Sequence, residues 1–205
     1  TFDDNGGNDT IKLNVETNAN ISTAASTDID KIVLANGVNA TMTRAHNVLI
    51  DGAAGTNTVT LTDVGTATGN ANVETYVLAA GAQTFTLGAT GQNVTANSTG
   101  GSGEIQIDTD TLTSITGTFD DNGGNDTIFL NVETNNTNIS TANTTDVDKI
   151  ALASGVDATM TRAQNAVIDG AAGDNTVTLT DAGTATGDAN VETYVLAAGA
   201  QTFTL

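Results

Sequence analysis

The residues in this chain best suited to chemistry are carboxylates set beside glycines. Asp4-Asn5-Gly6-Gly7-Asn8-Asp9-Thr10-Ile11 returns unchanged at 121–128, and in each copy a further acid, Asp3 or Asp120, precedes it. Glycines permit a tight turn whose carbonyls point outward. Asp carboxylates from adjacent turns can then complete the all-oxygen shell that Ca²⁺ takes. On this chemistry the candidate metal ligands are Asp3, Asp4 and Asp9, with their equivalents Asp120, Asp121 and Asp126, and Ca²⁺ is the candidate cofactor. The competing reading is that these are solvated turns. A second segment, Gly52-Ala53-Ala54-Gly55-Thr56-Asn57-Thr58-Val59, has the glycines but carries Asn where the acid would be, and its copy at 170–177 does the same. A third, Gly100-Gly101-Ser102-Gly103, has no acid at all.

Other reactive residues argue against catalysis. His46 is the only histidine, and its counterpart in the second copy is Gln164. A catalytic repeat would keep it, so His46 reads as an exposed strand residue. Asp28 and Asp30, like Asp146 and Asp148, put two carboxylates on one strand face, a geometry open to acid–base work. Lys31 and Lys149 lie beside them and no aromatic platform accompanies them, so local charge balance or a cation contact is the expectation. Arg44 and Arg162 each end a Thr-Met-Thr-Arg run and are expected to pair with a carboxylate from a neighbouring turn of the chain. Asn-x-Ser/Thr triplets, as at Asn20, Asn39, Asn93 and Asn97, follow from a composition rich in both residues.

What must position these groups is a repeat. The segment 1–11 recurs at 118–128, an offset of 117, and a one-residue insertion near Thr137 makes the offset 118 to the end. From Ile21 and Ile139 onward the copies differ at 12 of 67 positions, and 73–87 is identical to 191–205. This divides the chain into a first repeat, 1–117, and a second, 118–205, that stops where the first continues, and predicts a window on a longer array. The differences are informative: Asn39, Thr56 and Asn70 become Asp157, Asp174 and Asp188, which marks those positions as facing solvent or cations.

Composition narrows the architecture. The chain has no Pro, Cys or Trp, two Met, five Phe and two Tyr, with 38% hydrophobic and 14% charged residues. So few aromatics cannot fill a wide core, and the core is expected to be thin and repetitive. Val, Ile and Leu alternate with Thr, and β-branched side chains suit a pleated surface. Strands are predicted at 9–15, 31–35, 40–44, 48–51, 58–63, 73–78, 84–87, 104–108 and 112–118, punctuated by Gly, Asn and Asp. The fold class is therefore all-β, with a parallel β-solenoid of the β-helix or β-roll kind favoured, because Thr and Asn can stack as ladders between coils. Tandem β-sandwich (Ig-like) domains are the alternative.

Charge bounds the partners. Twenty-four acids against five Lys plus Arg give a net charge of −19. Such a chain repels nucleic acid and anionic membranes and attracts cations. No stretch approaches the length and hydrophobicity of a membrane span, so no insertion is expected. No export signal opens the chain at Thr1-Phe2-Asp3.

The 4–11 motif resembles the Gly/Asp nonapeptide of repeats-in-toxin (RTX) proteins. Gly7, Asp9 and Ile11 fall on its glycine, acid and large apolar positions, with Asp4 and Asn5 standing where it has glycines. In the second copy Gly124, Asp126 and Ile128 match, and Asp121 and Asn122 depart. More broadly, Asn72-Val73-Glu74-Thr75-Tyr76-Val77-Leu78-Ala79-Ala80-Gly81 and the overall composition resemble β-helical parts of bacterial surface-layer proteins and large type I-secreted adhesins. The resemblance implies a Ca²⁺-supported protein of the bacterial cell surface, exported without an N-terminal signal. The expected function is an extracellular structural scaffold whose repeats assemble as a homopolymer into a surface layer or filament. The alternative is the stalk of a large adhesin, and no enzyme activity is expected.

Overall fold

Strands that alternate apolar and polar residues but carry no hairpin turns have one outlet for their backbone groups: a parallel partner on the next coil. The computed structural model of the chain, which describes residues 10–25, 27–53, 55–97 and 103–205, takes that outlet throughout. Every ladder between its strands is parallel, and together they form a β-solenoid of about ten turns. On one side Asn39–Met42, Thr58–Leu61, Thr75–Val77 and Asn93–Thr95 stack in succession. On the other, Gln83–Thr86, Glu104–Asp108, Thr127–Val132 and Lys149–Leu152 do so. A β-sandwich needs antiparallel sheets, so the solenoid expectation holds and the alternative fails.

Parallel sheets elsewhere are covered on both faces and read as continuous apolar runs. Here each sheet has one face inside the coil and one in water, so the strands alternate instead. Thr127–Val132, Thr-Ile-Phe-Leu-Asn-Val, buries every second residue. Stacked registers turn this alternation into apolar columns. One runs Ala40, Val59, Tyr76, Val94, Phe119, and the opposite one Ala67, Phe85, Ile107, Leu130, Ile150, Ile168. Tyr76 and Phe85 meet across the interior with ring centroids 4.8 Å apart. The core is thin and repetitive, as the scarcity of aromatics requires.

Coil length is not constant. The coil that brings Thr58 opposite Thr75 is short, whereas the one that brings Val94 opposite Phe119 is much longer. The long coils bridge the two copies. Glu104–Asp108 pairs backward with the first copy at Gln83–Thr86 and forward with the second at Thr127–Val132, residue for residue from Glu104↔Thr127 to Asp108↔Asn131. The boundary at 117/118 is thus a boundary in sequence, while a single apolar core passes through it. Gly117 makes the crossing possible: a Cβ there would sit 1.8 Å from the carbonyl oxygen of Gln92 on the preceding coil.

Local differences from the sequence reading have physical causes. The pattern at 40–44 and 48–51 predicts strands, but a one-turn helix, Arg44–Asn47, lies between Asn39–Met42 and Ile50–Ala53. Thr43 caps it by accepting from the His46 backbone N–H. Thr66–Thr68 and Asn93–Thr95 are strands too short for their pattern to stand out. The segment 112–118 forms only single bridges, Ser114↔Asn138 and Thr118↔Asn143, because the chain turns from one side of the coil to another there.

Candidate functional site

Two kinds of polar device are built on this frame: acidic turns outside and amide clasps inside. Asp3, Asp4 and Asp9 lie outside the described residues. In the second copy Phe119–Asp120 ends a ladder and the chain turns through Asn122 and Gly123, both at positive φ, 55° and 68°. The turn is held by the acids themselves. Asp120 Oδ1 accepts from Asn122 N–H at 2.6 Å, and Asp121 Oδ1 accepts from Gly123 N–H at 2.8 Å.

A third acid joins them from the next coil. Oxygens of Asp120, Asp121 and Asp146 all lie within 4.8 Å of one another. Two ligands of one Ca²⁺, each about 2.3–2.6 Å from the ion, stand no farther apart than about 5 Å, so the spacing fits such an ion. The Asp146 carboxyl is pushed above the usual aspartate range, by loss of hydration first and then by the charges of Asp121, Asp120 and Asp148. Asp146 was legible only as half of a pair with Asp148, and the structure separates the two: Asp148 Oδ2 accepts from Ile128 N–H on the previous coil at 2.9 Å.

Asp126 is not part of this group. It is buried, and its Oδ1 accepts from Gly103 N–H at 2.8 Å, fastening one coil to the one before, while its Oδ2 has no hydrogen-bond partner. Of the three second-copy candidates, then, two meet in one place and the third secures a coil.

The inner devices are amides. Asn57 is fully buried and donates through Nδ2 to the carbonyls of Ala35 and Val38, at 2.7 and 3.1 Å, one coil back. Asn175 repeats this toward Ala153 and Val156, both at 2.9 Å. Gln92 donates to Asn70 O and Val73 O, and Gln164 to Ile139 O and Ala142 O. Each clasp brings a donor to two carbonyls at a corner where the ladder stops. One of the two, Ala35, Ala153, Asn70 or Ile139, also accepts the backbone N–H three residues on, so the clasp ties a closed turn to the next coil. The Gly52-Ala-Ala-Gly-Thr-Asn57 segment, which looked like a degenerate cation loop, thus turns its polar residue inward as a donor.

The corner also corrects the reading of His46. It is 2% exposed, not an exposed strand residue. Its Nδ1 lies 2.7 Å from Thr43 Oγ1, and its Nε2 is buried without a partner. Gln164 at the same place completes a capping box with Thr161 and still reaches the previous coil. His46→Gln is therefore expected to stabilise the first copy by about 1 kcal/mol, the net worth of a buried hydrogen bond. Urea unfolding of the two proteins measures this, and an unchanged midpoint would contradict it.

The arginines pair across a coil as expected, while Lys31 and Lys149 pair with acids of the next coil rather than with the neighbouring Asp28, Asp30, Asp146 and Asp148. Arg44 Nε donates to Asp63 Oδ2 at 3.2 Å, and Arg162 Nε to Asp181 Oδ2 at 3.0 Å, each across one coil. Lys31 pairs with Asp51 and Lys149 with Asp169.

No protein-family model, curated protein or solved structure matches the chain. Its class rests on its own geometry: a parallel β-solenoid built from tandem repeats.

Proposed function

We propose that this chain is an extracellular structural scaffold of a bacterial cell surface, in which repeats stack end to end into a surface layer or filament. The observation that carries this reading is the junction between copies. Five consecutive register pairs, Glu104↔Thr127 to Asp108↔Asn131, join them with no linker, so repeat follows repeat as coil follows coil. Stacked repeats of this kind behave as a one-dimensional rod. The outward rows of Thr, Asn and Asp keep that rod soluble, and the charge of −19 sets rods apart unless cations intervene. Ca²⁺ held by Asp120, Asp121 and Asp146 would offset repulsion at the repeat junction.

The coil-to-coil spacing gives a quantitative test. Three steps lead from Val59 to Phe119 and three from Ser114 to Thr178, so about six coils make one repeat. At a parallel-strand spacing of about 4.8 Å, each added repeat lengthens the rod by about 29 Å. Small-angle scattering from chains of two, three and four repeats should show this increment in maximum dimension. A dimension that stops growing would overturn the rod. Electron microscopy with Ca²⁺ and with chelator then separates the uses: ordered sheets or fibres support the scaffold, and isolated rods support an adhesin stalk. A melting temperature unaltered by chelator would remove Ca²⁺ from the reading, since a ligand bound only by the native state must raise it.

A further inference from the structure

The two copies are nearly the same sequence folded the same way, so a polar position that differs between them can be compared through its partners on its own coil and on the one before. The most consequential is Asn70, which is Asp188 in the second copy. In the first copy the Asn70 side chain serves both its ends. Its Oδ1 accepts from Asn72 N–H at 3.0 Å, and its Nδ2 donates to the carbonyl of Ile50 on the previous coil at 2.8 Å. Its backbone N–H donates to the Tyr76 hydroxyl at 2.7 Å, and that hydroxyl donates to Asn47 Oδ1 at 3.0 Å. The corner is closed.

In the second copy the frame is kept and the donor is lost. Asp188 Oδ1 still accepts from Asn190 N–H at 2.9 Å, and Asp188 N–H still donates to Tyr194 Oη at 2.8 Å. Gly170 N–H reaches the same Oδ1 at 3.4 Å. The second carboxylate oxygen thus takes the place of an N–H₂ group, and an oxygen cannot donate to the carbonyl of Ile168. Asn165, the equivalent of Asn47, is 3% exposed, and its Oδ1 is buried with no hydrogen-bond partner. Asp188, Asn165 and Ile168 line one cleft of ≈ 380 Å³ between the Arg162–Asn165 helix and the Thr184–Asp188 segment.

We propose that this cleft is a cation site present only in the second copy, taking an oxygen-seeking divalent ion of the Ca²⁺ class. Its protein ligands are the Asp188 carboxylate, the Ile168 carbonyl and Asn165 Oδ1. Asp188 Oδ1 takes the Asn190 and Gly170 N–H groups, so the oxygens open to an ion are Asp188 Oδ2, the Ile168 carbonyl and Asn165 Oδ1, beside the Tyr194 hydroxyl, an oxygen set a hard cation completes with water. Arg162 also borders the cleft, but its guanidinium is engaged by Asp181 at 3.0 Å and by the Thr184 carbonyl at 3.2 Å, so Asp188 remains the uncompensated charge. The Asp188 charge also helps hold the Tyr194 hydroxyl above the usual tyrosine range, after burial, which makes the larger contribution. With one carboxylate among its ligands, the site belongs with weak, extracellular-type affinities of about 10⁻⁴–10⁻³ M. It is separate from the Asp120, Asp121 and Asp146 group and does not depend on the scaffold reading.

Amide NMR on the whole chain, titrated with CaCl₂ to 100-fold excess over the upper end of that range, tests it. Saturable shifts are expected at Ile168–Gly170 and Asp188–Asn190 and not at Ile50–Gly52 and Asn70–Asn72, with the Asn122 and Gly123 amides reporting the other acidic group independently. Asp188→Asn, which recreates the folded first-copy arrangement, should abolish these shifts and raise the metal-free melting temperature. Asn70→Asp should install the response in the first copy. Absence of saturable shifts in the parent protein would mean that water alone fills the cleft, and shifts that survive in Asp188→Asn would assign them elsewhere. Either result overturns the site.

Discussion

In the 205-residue chain by itself, Phe85→Ala should destabilise the protein by about 3–5 kcal/mol and Phe203→Ala by about 1–2 kcal/mol, whereas a longer array that lays a further coil over Phe203 should bring the two costs together. The two phenylalanines sit at the same place in an identical stretch, 73–87 and 191–205, so sequence-local effects cancel. What differs is the coil beyond. Phe85 is completely buried, between Ala67 on one side and Ile107 on the other, and packs on Tyr76 at 4.8 Å. Its removal leaves a cavity in mid-column and dissolves an aromatic pair. Phe203 keeps its partner Tyr194, at 4.7 Å, but has a neighbouring strand on one side only and stays partly exposed. Urea unfolding of both variants measures the pair of costs. Equal costs would mean that columns stacked from coil to coil do not carry the stability.

The second large effect concerns Asn57. Asn57→Asp is nearly isosteric and restores the acid that a calcium-loop reading of 52–59 would want. It is nonetheless expected to cost about 3–5 kcal/mol at neutral pH, the range for an uncompensated buried charge. The carbonyls of Ala35 and Val38 would lose the Asn57 amide donor and face an anion instead, Ala35 keeping only the Val38 backbone N–H at 3.3 Å. Glu74 adds to the repulsion, because its Oε2 already accepts from the Asn57 backbone N–H at 2.7 Å. Burial and these neighbours raise the new carboxyl's pKa in the folded protein above its unfolded value of about 3.9. The folded state then binds the proton more tightly, so the penalty is full at neutral pH and shrinks as pH falls through the folded pKa. Asn57→Ala, which removes the amide donor from the same carbonyls without adding charge, should cost less, about 1–3 kcal/mol. An Asp variant as stable as the parent, or one rescued by Ca²⁺, would return 52–59 to the cation-loop reading.

These two sites show where sequence was readable. The Phe85 environment was largely legible: alternation of Thr with apolar residues, scarce aromatics and a near-identical repeat together favour stacked coils with a thin core. The pairing of Arg44 with a carboxylate one coil away followed from the same picture, and Asp63 is that carboxylate. The role of Asn57 was not legible. Its neighbours in sequence suggest a loop ligand, whereas its partners, Ala35 and Val38, lie a whole coil back. His46 was misread for a related reason, since a one-turn helix set between two strands has too few residues to show a helical period.

By itself, the sequence determined the repeat, the all-β class, the acidic charge and the presence of turns rich in Asp and Gly, and it favoured parallel coils over a sandwich, which the ladders then decided. These are properties of local pattern and of copy compared with copy. Tertiary structure alone decided which acids meet. Asp146 joins Asp120 and Asp121 across a coil, while Asp126, though close to Asp121 in sequence, turns inward to fasten Gly103. The physical reason is that coil length varies along the chain, from the short coil between Thr58 and Thr75 to the long one between Val94 and Phe119. No fixed period therefore states which residue of one coil lies over which residue of the next. That register is set by backbone ladders and by the amide clasps at the corners, and it exists only once the coils are stacked.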